Sequence, residues 1–297
     1  MRNDMLVCYV LTSDGWCTYT QMTFLSASSL KRIHPEANIV LLTDPVSEKR
    51  IEKCSHLLST VIDEIRVCPI KIGSLTETNR ELKTTMPRWM EGDFLYLDAD
   101  TLIVKPINDI WKLDAPLAMA PDRECYDPPD WIKDLYRQMG WQFRNGLRLN
   151  AGVIFVRQDK KVRELFDLWN RTWRAQVERT RVPNDQESLA ISLYELGYRP
   201  HVLDQKYNYL IKRNLKIAED VRILHFFATS DLYKGAWILD KLLEQVALFQ
   251  PIDWSLLDRC VRERHPWHSP TPYLLRSSGN LLQAMQLKLR QYFCRHL

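Results

Sequence analysis

The sequence has no long apolar run and no close pair of cysteines, and both absences exclude classes of protein. No stretch approaches the ~20 consecutive apolar residues that are needed to span a bilayer. The seven cysteines are odd in number, widely spaced and without a CxxC pair, so neither a zinc site nor a disulfide framework is predicted. We therefore expect reduced thiols in a cytosolic setting. The first apolar run, residues 5–11, is too short for a signal peptide and is closed by Asp14.

The composition is that of an ordinary globular protein, but the positive charge is concentrated near the C-terminus. Apolar residues make up 45% of the chain and charged residues 26%, with a net charge of +4. Residues 259–297 contain seven Lys or Arg against one acid, so the rest of the chain is slightly negative. Three prolines after residue 265 also indicate a boundary. We expect one main domain over residues 1–255 and a basic, partly helical extension over residues 256–297.

Apolar runs alternate with helical patterns along the main domain. Strands are predicted over residues 5–11, 38–42 and 62–67, with helices over residues 19–32 and from residue 47. Further helices are predicted over residues 81–90, 162–179 and 184–196, and further strands over residues 94–97, 149–156 and 221–227. This order predicts an α/β fold with a mostly parallel central sheet flanked by helices. Ligands of such sheets bind at the carboxyl ends of the strands, where residues 11, 42 and 97 are followed by polar stretches.

The clearest candidate site is the pair Asp98 and Asp100, which directly follows the apolar run 94–97. Two carboxylates at this spacing can bind one hard divalent cation, which in turn can neutralise a leaving nucleotide diphosphate. Two solvated loop acids are the simpler alternative. A phosphatase with the pattern DxDx[TV] is another, but Leu102 occupies the last position of that pattern, which normally lies on the first strand.

Three other polar residues have adequate structural explanations when each is considered alone. His225 lies among Leu224 and Phe226, which favours a buried structural histidine. Asp185 is explained by the preference of helix first turns for acids. Asn150 could belong to a turn at the edge of a strand.

Taken together and in order, several short motifs resemble glycosyltransferase family 8, which includes glycogenin and bacterial lipooligosaccharide galactosyltransferases. The resemblance covers roughly residues 5–240. Its motifs are LDADTL (97–102), APD (120–122), LNAGV (149–153), NDQ (184–186), KYNY (206–209), LHF (224–226) and KGAW (234–237).

The resemblance implies a Rossmann-like GT-A fold, the nucleotide-diphospho-sugar transferase fold, in a catalytic domain spanning residues 1–255. It implies a metal-dependent hexosyltransferase that moves glucose or galactose from a UDP-sugar to a glycan, glycolipid or protein acceptor and retains the anomeric configuration. Mn²⁺ or Mg²⁺ would be bound by Asp98, Asp100 and His225, which reverses the structural interpretation of that histidine.

The resemblance also implies roles for the residues around the metal. Asp185 and Gln186 would lie near the anomeric carbon. Whether Asp185, Gln186 or the diphosphate itself assists departure of the leaving group stays open. Lys83 is chosen as the basic residue before the aspartate pair, with Arg80 as its rival. Lys234 would bind the diphosphate, although the family pattern HxxGxxKPW is altered here. The implied contacts to the nucleotide-sugar are Leu11, Thr12, Ser13, Tyr19, Lys83, Asp98, Ala99, Asp100, Asp122, Asn150, Ala151, Gly152 and Lys234.

The acceptor cannot be named from the sequence. The surroundings of Tyr194 do not match the self-glucosylated tyrosine of glycogenin, so a separate acceptor is predicted. Residues 125–148 are rich in aromatic side chains, which could stack on sugar rings or close a lid. A non-catalytic nucleotide-sugar-binding or scaffolding protein of the same fold is the alternative function. No feature predicts nucleic-acid binding.

The C-terminal segment has apolar residues at helical spacing, with basic residues largely off that stripe. Such a helix can lie on an anionic membrane surface or pack on its own domain, and both remain open. The expected location is the cytoplasm or the inner face of a membrane. The stripe consists of Leu281, Leu282, Met285, Leu289, Tyr292 and Phe293, and the basic residues are Lys288, Arg290 and Arg295.

Overall fold

The computed structural model describes residues 5–70, 72–123, 127–144, 148–211, 215–226 and 235–293. Its strands form a seven-stranded sheet in the order β3-β2-β1-β4-β7-β6-β8 and a three-stranded sheet in the order β5-β10-β9. The strands are β1 (Leu6–Val10), β2 (Asn38–Thr43), β3 (Glu64–Val67), β4 (Phe94–Leu97), β5 (Thr101–Ile103), β6 (Leu117–Arg123), β7 (Arg148–Val156), β8 (His201–Val202), β9 (Tyr209–Leu210) and β10 (Ile223–His225).

The prediction of a mostly parallel central sheet is confirmed. Strands β3, β2, β1 and β4 are mutually parallel, and β6 is parallel to β8. Strand β7 is antiparallel to both β4 and β6. The start of β7 therefore lies at the same edge as the carboxyl ends of β1 and β4, which is the edge where a ligand is expected.

Helices cover both faces of this sheet. They are α1 (Thr18–Ile33), α2 (Pro45–Ile51), α3 (Ser55–Leu58), α4 (Leu75–Thr85), α5 (Asp130–Met139), α6 (Lys160–Thr180), α7 (Gln186–Glu195), α8 (Ile238–Ala247), α9 (Trp254–Glu263), α10 (Pro272–Ser277) and α11 (Leu281–Phe293). Along β1, Val7 and Tyr9 pack in the core beside α1, whereas Cys8 and Val10 pack in the core beside α4 and α6. This two-sided burial explains why β1 is a continuous apolar run.

Two helix starts differ from the prediction. Helix α4 begins at Leu75, six residues before the predicted start at residue 81, because Ser74 and Glu77 form a capping box. It ends at Thr85 and continues as the 3-10 helix Met86–Arg88. The N-cap of α7 is Asp185, although Asn184 was the predicted cap, and the Asn184 side chain instead accepts a hydrogen bond from the Gln186 N–H.

Helices α9 and α10 pack with α8 and with α1 in one core. Leu257 of α9, Trp267 and Leu274 of α10 are buried in the same core cluster as Ile238 of α8. Helix α9 begins at Trp254, so it spans the predicted boundary at residue 255. The division into a catalytic domain and a C-terminal extension stays a prediction.

Helix α4 is anchored to α6 by a buried carboxylate. Glu81 is only 2% exposed, and its carboxylate accepts hydrogen bonds from the Arg174 guanidinium, with Nε at 2.8 Å, and from Asn170 Nδ2 at 2.9 Å. The anchor matters for the site because α4 also contains Arg80 and Lys83, one residue before and two residues after Glu81.

We expect Arg174→Ala to destabilise the protein by roughly 2–3 kcal/mol, because it leaves the buried Glu81 carboxylate without its charged partner. Chemical denaturation would measure the loss. Arg171→Ala, at an exposed position of the same helix, is the matched control and should change stability by less than about 0.5 kcal/mol. Equal stability of the two variants would contradict the anchoring role.

Candidate active site

A cavity of about 1020 Å³ opens at the carboxyl edge of the central sheet. Such a volume lies at the upper end of the range of ligand-binding pockets, which is roughly 300–1,000 Å³. Every described residue that the sequence analysis assigned to the site lines this cavity: Leu11, Thr12, Ser13, Tyr19, Lys83, Asp98, Ala99, Asp100, Asp122, Asn150, Ala151, Gly152, Asp185, Gln186 and His225. Arg80, the rival of Lys83, lines it too. Lys234 lies outside the described residues.

Asp98, Asp100 and His225 form a cluster that could hold a metal ion, with one ligand atom of each lying within 4.8 Å of the others. His225 Nε2 lies 3.3 Å from Asp100 Oδ1 and 3.9 Å from Asp98 Oδ2. Burial lowers the pKa of His225, but the Asp100 and Asp98 carboxylates outweigh burial and raise it overall. In the absence of a cation, the two carboxylates therefore favour a proton on this imidazole.

Strand pairing explains how a histidine so far along the chain reaches the two aspartates. After Asp100 the chain leaves the central sheet and forms β5, which is antiparallel to β10 with His225 opposite Thr101. The Phe226 N–H also donates to the Asp100 carbonyl at 3.1 Å. The register of the small sheet thus fixes His225 beside the turn that contains Asp100.

Lys83 and Arg80, the two candidates for the basic residue before the aspartate pair, both line the cavity. Arg80 and Lys83 are three residues apart on α4 and share one face of the helix. Lys83 Nζ lies 3.0 Å from Asp98 Oδ1 and 3.7 Å from Asp185 Oδ2, and Arg80 Nε lies 3.3 Å from Asp185 Oδ1. Lys83 is only 3% exposed, so it is a buried cation shared by two carboxylates.

These cations determine the charge of Asp185. Burial raises the pKa of Asp185, but Arg80 and then Lys83 more than offset it and hold that pKa below its usual range. Asp185 is therefore an ionised, buried acceptor at neutral pH. A carboxylate of this kind suits hydrogen bonds from ligand hydroxyls.

Tyr96 binds the same oxygen of Asp98 that Lys83 contacts, and the sequence analysis did not identify it. Its hydroxyl donates to Asp98 Oδ1, and burial, followed by Asp98, raises the pKa of Tyr96 well above its ordinary value. The hydroxyl therefore stays protonated. Since Tyr96 precedes Asp98 by two residues on a strand, the two-residue period of the strand could have revealed the pairing.

A chain of hydrogen bonds links His225 to Asn150. His225 Nδ1 lies 2.8 Å from Asn208 Oδ1, and Asn208 Nδ2 donates to Asn150 Oδ1 at 2.8 Å. Gly152 N–H donates to the same Asn150 oxygen at 2.8 Å. A Cβ atom on Gly152 would lie 2.3 Å from His225 Cε1, so a glycine is required here by the imidazole ring. The sequence analysis had named Gly152 only as an implied contact to the nucleotide-sugar.

The side-chain amide of Gln186 is held by two hydrogen bonds to the backbone of β7. Its Oε1 accepts the Ala151 N–H at 3.2 Å, and its Nε2 donates to the Leu149 carbonyl. Both polar ends of the amide are thus engaged by strand backbone. Gln186 fastens the start of α7 to the start of β7.

The loop after β1 also lines the cavity. The Thr12 hydroxyl donates to the Leu75 carbonyl at 2.8 Å, which joins this loop to the start of α4. The Ser13 hydroxyl is bonded within the loop, to the Gly15 carbonyl and to Thr20. The Tyr19 ring, in the first turn of α1, is 51% exposed and lines the cavity.

The aromatic residues of segment 125–148 divide into two groups. Trp131, in the first turn of α5, is 49% exposed and lines the cavity. Trp141 and Phe143 instead pack edge-on against Tyr136. Tyr136 also donates to Glu187, a buried carboxylate that accepts a second bond from Arg148. Of these aromatic side chains, only Trp131 faces the cavity in the described part of the segment.

The architecture is a GT-A glycosyltransferase fold, and two proteins of known structure illustrate it. The apo form of the glycosyltransferase GlyE of Streptococcus pneumoniae TIGR4 superposes with a TM-score of 0.54 at 19% identity, covering 90% of this chain and 66% of that one. A second structure of GlyE gives 0.53. Apo mouse xyloside xylosyltransferase 1 gives 0.51 at 16% identity, covering 77% of this chain and 99% of that one.

The chain spans just under two thirds of the length of GlyE. No family model matches the sequence, and no curated protein matches it. The predicted GT-A fold is thus shown by structural likeness. Across the described ranges, no helix combines the length and the apolar character that crossing a bilayer requires.

We expect Arg80→Met to raise the pKa of Asp185, because burial then acts with less opposing positive charge. A titration of the Asp185 carboxyl ¹³C shift would measure it. The wild-type ion pairs contribute stability above the pKa of the unfolded chain and lose it as the pH falls through the lower folded pKa. The stability of Arg80→Met should therefore fall less than that of the wild type as the pH is lowered. Arg88→Met, at an exposed ion pair, is the control, and an unchanged Asp185 pKa in Arg80→Met would contradict the assignment.

Proposed function

We propose that the protein is a retaining glycosyltransferase that moves a hexose, glucose or galactose, from a UDP-sugar to a carbohydrate-bearing or protein acceptor. The observation that supports this most directly is the convergence of Asp98, Asp100 and His225 at a large cavity of a glycosyltransferase fold. Membership of family 8 is part of the proposal and rests on the order of the motifs.

The donor set fits a divalent cation. Carboxylates suit Mg²⁺ and Mn²⁺, and an imidazole in the set favours Mn²⁺ because it is the softer of the two. When bound, the cation would neutralise the charge that develops on the departing nucleoside diphosphate. Asp98 is held in place for this task by Lys83 and Tyr96.

The residues around the cavity suggest an orientation for the donor. The loop after β1, with Leu11 and Thr12, offers backbone groups to the uridine, and Tyr19 of α1 offers an aromatic ring. Asp122 and Asp185 also line the cavity and would accept hydrogen bonds from hexose hydroxyls. Ala99 and Ala151 add little bulk to the cavity lining, so the sugar can approach the backbone there.

Asp185 and Gln186 would act near the anomeric carbon in different ways. Asp185 is a carboxylate already paired with Arg80 and Lys83, which favours a role in holding the donor sugar over one as a proton acceptor. Gln186 presents an amide whose two ends are fixed by β7, which favours alignment. Both residues then determine where the sugar lies while the diphosphate departs.

The acceptor is assigned to the side of the cavity that contains Trp131. A half-exposed indole that lines the cavity suits the apolar face of a sugar ring. This geometry favours a carbohydrate acceptor. A non-catalytic nucleotide-sugar-binding protein remains the second candidate, because the same residues could bind a donor without transfer.

We expect wild-type protein with Mn²⁺ to hydrolyse a UDP-hexose slowly without an acceptor, and Asp100→Asn to reduce the rate roughly 100-fold or more, since a catalytic metal contributes several kcal/mol. UDP release from UDP-glucose, UDP-galactose and UDP-N-acetylglucosamine would be measured with Mn²⁺ and with EDTA. Asp167→Asn, at an exposed ion pair on α6 outside the cavity lining, is the control. UDP-sugar binding without turnover would favour the second candidate, and full activity of Asp100→Asn would exclude the proposed metal site.

The tail helix α11 supports a membrane-surface contact as part of the proposal. Ala284 is buried and Leu287 partly buried against the domain, whereas the predicted apolar stripe faces outward. Five of its side chains are more than half exposed, namely Leu281, Leu282, Met285, Leu289 and Tyr292. Lys288 and Arg290 are exposed on the same helix. An exposed apolar face with basic flanks suits an anionic lipid surface.

We expect the protein to float with vesicles that contain phosphatidylglycerol and not with pure phosphatidylcholine. Leu282→Ser combined with Met285→Ser should abolish flotation, and Lys288→Gln or Arg290→Gln should weaken it about fivefold each, at ~1 kcal/mol per basic residue. Gln283→Ser with Gln286→Ser on the same helix is the control. Failure to float at 0.1 M salt, or a dimer that the serine variant disrupts, would contradict the membrane contact.

A further inference from the structure

We propose that Asn208 is a positioning residue that fixes the tautomer of His225 and links this metal ligand to Asn150. The inference rests on the proposed function, since it takes His225 as a ligand of the cation. It extends that function to a residue that neither reaches the cavity nor belongs to the metal cluster.

Asn208 is completely buried, with 0% of its surface exposed. Its side chain spans the gap between His225 on β10 and Asn150 on β7, with both hydrogen bonds at 2.8 Å. A fully buried amide that makes two hydrogen bonds with good geometry has one preferred orientation. The residue therefore acts through its two neighbours and not on a substrate.

The direction of each hydrogen bond follows from one backbone group. The Gly152 N–H can only donate, and it points at Asn150 Oδ1, which must therefore be an acceptor. The group of Asn208 that faces the same oxygen must be its NH₂. Its carbonyl oxygen then faces His225 Nδ1, so this nitrogen must hold a proton.

This chain of donors leaves His225 Nε2 as the nitrogen that can bind a cation, and Nε2 is the atom that faces Asp100 and Asp98. Partners of this kind orient metal-bound histidines and fix their tautomer. On the other side, Asn150 uses its oxygen on Asn208 and Gly152. Its NH₂ is therefore the group available to a hexose oxygen in the cavity.

The fold holds Asn208 in position. Its own N–H donates to the Gln205 carbonyl at 3.0 Å, at the end of the 3-10 helix Gln205–Tyr207. The next residue begins β9, which is parallel to β10 with Tyr209 opposite Leu224. Adjacent strands thus bring Asn208 to His225, just as β5 brings Asp100 to His225.

Two substitutions separate the two hydrogen bonds. Asn208→Ala removes both, and we expect it to weaken Mn²⁺ binding about 10- to 100-fold, the usual effect of losing such a partner. Asn208→Asp still accepts the His225 Nδ1 proton but cannot donate to Asn150. We expect it to bind Mn²⁺ within about threefold of wild type and to raise the KM for the UDP-sugar.

The Mn²⁺ affinity would be measured by electron paramagnetic resonance with Mn²⁺ alone, which requires no activity. Tyr207→Phe is the matched control: it removes the Tyr207 hydrogen bond to Asp109 from the same segment and should leave Mn²⁺ affinity unchanged. In the wild type with diamagnetic Mg²⁺, long-range ¹H–¹⁵N spectra should show the His225 proton on Nδ1.

Undiminished Mn²⁺ binding by Asn208→Ala, equal losses in Asn208→Ala and Asn208→Asp, or a proton on Nε2 would each overturn the inference while leaving the proposed function intact. Wild type that binds no Mn²⁺ would overturn both. If Tyr207→Phe weakened Mn²⁺ binding as much as Asn208→Ala, both losses would reflect loosening of the segment around residues 207 and 208. That result would also overturn the inference.

Discussion

The site depends on the balance of charge around one buried ammonium group. Lys83 is almost fully enclosed and lies between Asp98 and Asp185, which are far apart in sequence. Burying charges is costly unless each is paired and hydrogen-bonded, so these three groups constrain one another. Arg80 adds a second cation on the Asp185 side and Tyr96 a hydroxyl on the Asp98 side. The geometry of the metal cluster follows, because Asp98 cannot rotate without losing both partners.

The two helices at the cavity contribute opposite charges to this balance. Helix α4 supplies the cations, and its own position is fixed by Glu81 and Arg174. Helix α7 supplies Asp185 at its start and is fixed by Gln186 on one strand and by Glu187 with Arg148 and Tyr136 on another side. The anchor of α4 lies outside the cavity, whereas Gln186 and Glu187 fasten α7 at the cavity itself.

Much of the central sheet and the place of the site could be predicted from the sequence. Strands β1, β2 and β4 are buried on both faces, so they are continuous apolar runs, and a ligand at their carboxyl ends follows from the parallel order. His225 could not be placed from its apolar neighbours, since pairing of β5 with β10 is a long-range contact, and only the motif resemblance indicated it. Asn208 was inside a recognised motif but had no predicted role, because its function depends on two partners on different strands. The start of α4 was missed because its capping box lies before the apolar periodicity begins.

Strand β7 makes one side of the cavity more rigid than the other. It is nine residues long and buried throughout, and it provides Asn150, Ala151 and Gly152 directly from a strand in the middle of the sheet. That part of the cavity can open only if the core itself opens, so its amide protons belong to the slowest-exchanging class of the molecule. The wall formed by α5 and Trp131 is attached through a smaller aromatic cluster. The β7 side of the cavity should therefore be rigid and the α5 side more mobile. A substrate would then enter and leave beside Trp131.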